Sequence, residues 1–327
     1  MTQLQEIKQL VQEEFEGVNQ LILSSLESRV ETINQIGNYI IAGGGKRVRP
    51  LLVLLSTKAC QAPSETQRQA AITMATLVEF IHTATLLHDD VVDHSELRRG
   101  KLTANAVWDN ATAVLVGDFI YSRAFQMIAS LNNMEAIEIL AEATNVIAEG
   151  EVMQLTHRHQ PDISETQYFQ VIECKTSKLF EAACLLGGVI AEQPRALKQD
   201  LTAYGRHIGN AFQLVDDVLD YQADLATWGK NIGDDLAEGK ITLPLIYALS
   251  HGPQSLVNTI REAILAKGTE EMATIQKGIA ASGAIDYTMQ RAKEEAHQAQ
   301  QCLARLPESC YREALFELAN FVVGREN

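Results

Sequence analysis

Positive charge is scarce in this sequence. Lys and Arg number 27 against 42 Asp and Glu, a formal net charge of −15. That balance argues against general nucleic-acid binding and against an anionic membrane surface as the main partner. It leaves room for local basic pockets. Aromatic residues make up 6 % of the chain and prolines number seven in 327 residues. So few prolines favour long helices. The five cysteines, at 60, 174, 184, 302 and 310, show no paired metal-ligand spacing. Their odd number fits free thiols in a reducing, cytoplasmic setting. No run reaches the ~18 consecutive apolar residues of a membrane span, so none is expected. The N-terminus MTQLQEIKQLVQEEFEGVNQLILSSL has mixed charge and lacks the basic start and apolar centre of a signal peptide.

What is present is helical periodicity. Hydrophobic residues make up 46 %, enough for a sizeable core. They recur at three- and four-residue steps through 3–42, 48–61, 67–94, 105–131, 134–156, 165–191, 197–222 and 240–250, and again after 254. Alternating strand patterns are almost absent. Breaks fall at Gly43–Gly45 with Pro50, at Glu96–Thr103, at His157–Ile163 and at Tyr221–Lys240. None resembles an interdomain linker. The sequence predicts one all-α domain over 1–327.

The run AAITMATLVEFIHTATLLHDDVVD within Gln67–Asp93 is apolar on several faces. A helix of that kind belongs inside a bundle. Yet it ends in three acids, and buried carboxylates are costly unless paired or bound to a cation. With ~100° per residue, Asp89 and Asp93 lie ~40° apart, and Asp90 falls within a ~100° arc of both. Like charges so close raise one another's pKa, and a divalent cation relieves the conflict. Oxygen-only ligands suit Mg²⁺ or Mn²⁺. Asp216-Asp217-Val218-Leu219-Asp220 repeats the pattern after a second apolar lead-in, Asn210-Ala-Phe-Gln-Leu-Val. One such pentapeptide is often only a solvated helix face. Two at the ends of apolar helices point to cations held around a diphosphate.

A diphosphate also needs fixed positive charge. Gly43-Gly44-Gly45-Lys46-Arg47-Val48-Arg49-Pro50 offers three cations beside a glycine turn. Glycine lets the backbone approach an anion, and arginine grips phosphate oxygens bidentately. The plainer reading is a helix end followed by solvated basic residues. Arg98 and Arg99 follow Asp93 closely and could close over the first acidic site. Lys175, Lys230 and Lys240 could line the same mouth, although each alone reads as an ordinary surface lysine. His82 points ~20° from Asp89, two turns deeper. His88-Asp89 also admits a metal-dependent phosphohydrolase, but no pattern selects the further histidines that reaction requires.

Together GGGKRVRP, FIHTATLLHDDVVDHSELRRGKLTANAVW, VGDFIYSRAF, NAFQLVDDVLDY and GKNIGDDLAEGKITLPL resemble the trans-isoprenyl diphosphate synthases, in their long-chain, octaprenyl-type branch that makes quinone side chains. The resemblance runs in order along nearly the whole chain. It implies the isoprenoid-synthase fold, a large antiparallel helical bundle around a central cavity, together with a homodimer and three Mg²⁺ ions. It implies Asp89, Asp93 and Asp216 as principal metal ligands, supported by Asp90, Asp217 and Asp220. Gly45, Lys46, Arg49, His82 and Arg99 resemble the isopentenyl diphosphate site. Arg98, Lys175, Thr176, Gln213, Lys230 and Lys240 resemble contacts to the allylic substrate, farnesyl diphosphate or a similar primer. Thr176 and Gln213 resemble residues whose oxygens stabilise the allylic cation. The product would be delivered to a membrane.

In short-chain members of that family a bulky aromatic near positions 84 and 85 closes the cavity. Here Ala84 and Thr85 are small, and the first motif lacks the two-residue insertion of bacterial farnesyl-type enzymes. Both points imply a long product. The tunnel floor is expected among Met127, Ile128, Leu131 and Leu140. Geranylgeranyl, solanesyl and decaprenyl products are the alternatives in length. A class I terpene cyclase would carry one aspartate motif and a mixed Asn/Ser/Glu motif. A non-catalytic partner subunit would carry degraded motifs. The second aspartate triad and GGGKRVRP speak against both.

Overall fold

A computed structural model gives the structure and describes residues 3–222, 233–266 and 271–325. The chain divides into two compact units, each built from three chain segments. The first comprises Met1–Thr144, Leu179–Gly205 and Gln300–Leu318, the second Asn145–Lys178, Arg206–Ala299 and Ala319–Asn327. Helix dominates both. The strands among the described residues are β1 (Leu97–Arg98) and β2 (Lys101–Leu102), which pair as a short hairpin.

In the first unit α1 (Gln3–Gln9), α2 (Gln12–Ser25) and α3 (Glu31–Ala42) precede α4 (Val48–Cys60) and α5 (Glu65–Val92). The periodic stretch 3–42 is thus three helices. The second break is held by Asn34, whose Oδ1 accepts from the Ser28 N–H at 2.9 Å while its Nδ2 donates to the Ser28 carbonyl at 2.9 Å. Helix α4 starts late because Gly44 and Arg47 both take left-handed backbone. Pro50 falls in its first turn, where its missing N–H costs no helical bond. Helix α5 starts on a capping box between Ser64 and Gln67.

Helix α5 forms the axis of this unit. It packs against α2, α4 and α7 (Asn110–Ser130). Leu77, Val78 and Ile81 are at most 1 % exposed. Each buried aliphatic side chain of this size contributes about 1.5–3 kcal/mol. By length and composition alone α5 could cross a membrane, but most of its apolar stretch is buried inside the protein. The stretch 105–131 breaks between α6 (Ala104–Val107) and α7 because Asp109 caps α7 by accepting from the Thr112 N–H at 2.8 Å. Gly117 of α7 admits the ring of His88, which an added Cβ would overlap.

Helix α8 (Met134–His157) comes next, followed by α9 (Glu165–Ile172), one π-helical turn (Glu173–Ser177), α10 (Lys178–Ile190) and α11 (Arg195–Gln222). Beyond lie α12 (Asp234–Ala237), α13 (Leu243–His251), α14 (Gln254–Ala266), α15 (Met272–Ala281), α16 (Ala284–Cys302) and α17 (Cys310–Gly324). The second unit's core gathers Leu214, Val215 and Val218 of α11 with Leu243, Leu245, Ile260 and Ile275. That core seats the second acidic motif.

Candidate active site

In the first unit the last turn of α5 carries Asp89 and Asp90, and Asp93 caps its end. Asp89 and Asp93 are half-buried, whereas Asp90 is only 4 % exposed. The hairpin explains that difference. Arg99 and Gly100 both have positive φ, which suits a tight two-residue turn between paired strands. The turn brings Arg98 back over the helix end. Its Nε and Nη2 donate to Asp90 Oδ1 at 2.8 and 2.6 Å. Asp90, expected to support a metal, therefore anchors Arg98, and Arg98 in this structure grips an acid of the motif. The loop is closed by Thr103 Oγ1 donating to the Ser95 carbonyl at 2.7 Å and by Tyr39 Oη donating to the Leu102 carbonyl at 2.8 Å.

Arg99 turns the other way. Its guanidinium donates to the Gly44 carbonyl and lies where a Cβ on Gly45 would meet it at 2.7 Å. The glycine turn and the second arginine are thus fitted to each other. Arg47, Glu79, His82, Asp90, Arg98 and Arg99 line one cavity. Ala84 and Thr85 are not among its walls. Arg49 sits with its guanidinium 4.4 Å over the Phe180 ring. Burial holds the His82 pKa well below the usual histidine range, and the charges of Arg49, Arg99 and Arg98 add to the effect. The imidazole is neutral near pH 7. Glu79 escapes notice in the sequence, although it stands one turn before His82 in an otherwise apolar run. Burial pushes its carboxyl up while Arg49, Arg47, Arg99 and Lys8 pull it back.

The tunnel candidates are ordinary in their packing. Ala84 is fully buried, and Thr85 Oγ1 donates to the His82 carbonyl at 2.8 Å. Ile128 and Leu140 are each 1 % exposed, and Met127 and Leu131 are half-buried.

In the second unit α11 presents Gln213, Asp216, Asp217 and Asp220. Asp217 is 1 % exposed and Asp220 5 %. Gln213 Nε2 donates to Asp217 Oδ1 at 2.8 Å, and Tyr168 Oη of α9 donates to Asp217 Oδ2 at 2.5 Å. Thr176 lies in the π turn, and its Oγ1 donates to Gln213 Oε1 at 3.0 Å. π turns inside α-helices are frequent at functional sites. This one is approached closely from two sides. A Cβ on Gly150 would meet the Lys175 nitrogen at 2.7 Å, and one on Gly209 would meet Ser177 Cα at 2.5 Å.

Lys175 donates to Glu151 Oε2 at 2.6 Å and to Gln154 Oε1 at 2.9 Å. Lys240 pairs with Glu238. Lys230 lies outside the described residues. Asp216 accepts from Arg325 Nη2 at 2.6 Å. No sequence pattern marked Arg325 or Tyr168.

The acids suit a hard cation. Every motif donor is a carboxylate oxygen, and a guanidinium already sits where Asp216 would meet positive charge. Among the described residues no three acids, histidines or cysteines gather closely enough to enclose an ion. Mg²⁺ completes such a partial shell with waters and substrate phosphates.

Residues 30–281 match the family model described as polyprenyl synthetase. The chain belongs to the polyprenyl synthetase family. It is a prenyltransferase with the helical isoprenoid-synthase fold. The family's substrates are allylic diphosphates and isopentenyl diphosphate. Octaprenyl diphosphate synthase of Escherichia coli is 49 % identical over 324 residues, covering 99 % of each chain. The all-trans-nonaprenyl-diphosphate synthase of Rhodobacter capsulatus is 44 % identical, covering 98 % of each. A solved polyprenyl synthase of Caulobacter crescentus, complexed with calcium and isoprenyl diphosphate, superposes with a TM-score of 0.95. It is 43 % identical and covers 99 % of this synthetase and 98 % of its own chain. Octaprenyl and nonaprenyl synthases stand among the relatives, which bears out the long-chain trans-prenyl synthase function that the resemblance implies.

Proposed function

We propose that the chain is a Mg²⁺-dependent octaprenyl diphosphate synthase that extends farnesyl diphosphate with successive isopentenyl diphosphates for a quinone side chain. One observation carries the reading. An arginine-lined cavity beside one acidic motif occurs in the same chain as a second acidic motif linked to Thr176 and Gln213. A hydrolase needs one diphosphate site, whereas a condensing enzyme needs two. The 49 % identity to an octaprenyl enzyme supports forty carbons over other lengths.

Asp89, Asp93 and Asp216 would hold the divalent cations, which supply positive charge to the leaving diphosphate. Arg98, Lys175 and Lys240, with Lys230, add fixed charge for the allylic diphosphate. Lys46, Arg49 and Arg99 bind the diphosphate of isopentenyl diphosphate, and Gly45 lets it approach the backbone. Neutral His82 gives that substrate a hydrogen-bond donor without adding charge. The allylic C–O bond breaks and its electron pair leaves with the diphosphate. The terminal alkene carbon of isopentenyl diphosphate then bonds to the allylic carbon. A proton is lost from the neighbouring carbon to the released diphosphate. The oxygens of Thr176 and Gln213 face the cation with the negative ends of their dipoles. The packed apolar helices keep water from quenching it. We also place the enzyme in the cytoplasm as a homodimer.

The test is cation-dependent elongation. Purified protein with farnesyl diphosphate and labelled isopentenyl diphosphate should form polyprenyl diphosphate in Mg²⁺ and none after chelation. Release of free farnesol without elongation would instead indicate a hydrolase.

A further inference from the structure

Each motif has a middle acid more buried than the first one, and in each the middle acid holds a neighbouring side chain. In the second motif the held side chain is Gln213. Gln213 and Asp217 stand one helical turn apart on α11, on one face. Each oxygen of Asp217 accepts one hydrogen bond: Oδ1 from the Gln213 amide at 2.8 Å, Oδ2 from Tyr168 Oη at 2.5 Å. The NH₂ end of Gln213 faces Asp217. The carbonyl end is then fixed toward Thr176, whose hydroxyl donates to it at 3.0 Å. With that hydrogen committed, the Thr176 oxygen keeps only lone pairs to present elsewhere. The chain Tyr168–Asp217–Gln213–Thr176 thus fixes the orientation of the Gln213 and Thr176 oxygens.

We propose that Tyr168 and Asp217 are positioning residues that orient Gln213 and Thr176 toward the allylic cation. The inference rests on the elongation reading given above. Tyr168 sits on α9, just before the π turn that carries Thr176. One side chain therefore ties the π turn's lead-in helix to α11. Asp216, one residue earlier, is 30 % exposed and meets a cation, Arg325. Neighbouring acids of one motif thus do different work: Asp216 faces charge, and Asp217 faces two neutral donors.

The experiment compares Tyr168→Phe, Asp217→Asn and Asp216→Asn in steady-state elongation, with Mg²⁺ titrated for each. Tyr168→Phe and Asp217→Asn should lower kcat by about 10–100-fold, the size seen when orienting partners are lost. Their KM values for both diphosphates and their Mg²⁺ midpoints should stay near wild type. Asp216→Asn should move the Mg²⁺ midpoint upward. An Asp217→Asn midpoint displaced as far as that of Asp216→Asn would make Asp217 a ligand and overturn the proposal, and so would wild-type kcat in a folded Tyr168→Phe enzyme. Wild-type protein that fails to elongate refutes the elongation reading itself, a separate outcome visible before any variant is compared.

Discussion

Exchanging Asp89 or Asp90 for alanine should damage the enzyme in two different ways. Asp90 is 4 % exposed and holds Arg98 through two donors, Nε at 2.8 Å and Nη2 at 2.6 Å. Removing one partner of a buried ion pair costs about 3–5 kcal/mol. The Arg98 side chain is 30 % exposed, so solvent screening reduces the figure to about 1–3 kcal/mol. For a protein of this size that corresponds to a melting shift of roughly 1–5 °C. Asp89 is half-buried beside like charges, so Asp89→Ala should leave the melting temperature nearly unchanged. Its loss should fall on the chemistry. Removing one element of a preorganised charge-stabilising site lowers kcat by about 10²–10³-fold. Scanning calorimetry and steady-state elongation on the two variants check this. A stable Asp90→Ala protein, or a folded Asp89→Ala enzyme with wild-type turnover, would refute the division of labour.

Three further outcomes follow from the same contacts. Ala84→Phe should shorten the product, read by chromatography of the hydrolysed chains; because Ala84 is fully buried, overpacking should also cost about 1–3 kcal/mol. His82 has a folded pKa below its unfolded value, so only the unfolded chain takes up the proton just below pH ~6.5. Stability should therefore fall as pH drops through that range, by no more than about 1.4 kcal/mol per unit from this group. Urea titrations should show a flatter profile for His82→Gln. Burial pushes the thiols of Cys60 and Cys184 up to about 12. A thiol reagent at pH 8 should label exposed Cys310 in the native state and reach those two only after unfolding.

Much of this was legible in the sequence because it rests on short-range periodicity. The run to Asp93 announced a core helix with acids at its end, and α5 is that helix. GGGKRVRP announced a break carrying cations, and the left-handed Gly44 and Arg47 produce it. Interactions between distant segments were not legible. Nothing in LRRGKL says that Arg98 reaches Asp90 while Arg99 reaches Gly44. The hairpin decides that, and its only local trace is a glycine after two arginines. The π turn has no compositional mark, since Glu173–Ser177 would suit an ordinary helix. Tyr168 is seven residues before Lys175 and one of eight tyrosines. Only the packing of α9 onto α11 gives it a partner. The breaks inside 3–42 and 105–131 leave no mark because apolar residues keep their helical spacing across them, while Asn34 and Asp109 fix the starts of the helices that follow through side-chain hydrogen bonds.

Elongation to a long, defined product is the activity on which the roles of all these residues depend. Its most direct test incubates the purified enzyme with Mg²⁺, farnesyl diphosphate and labelled isopentenyl diphosphate, then sizes the chains. A dominant forty-carbon product is expected. Chains ending at fifteen or twenty carbons, or no incorporation at all, would contradict it.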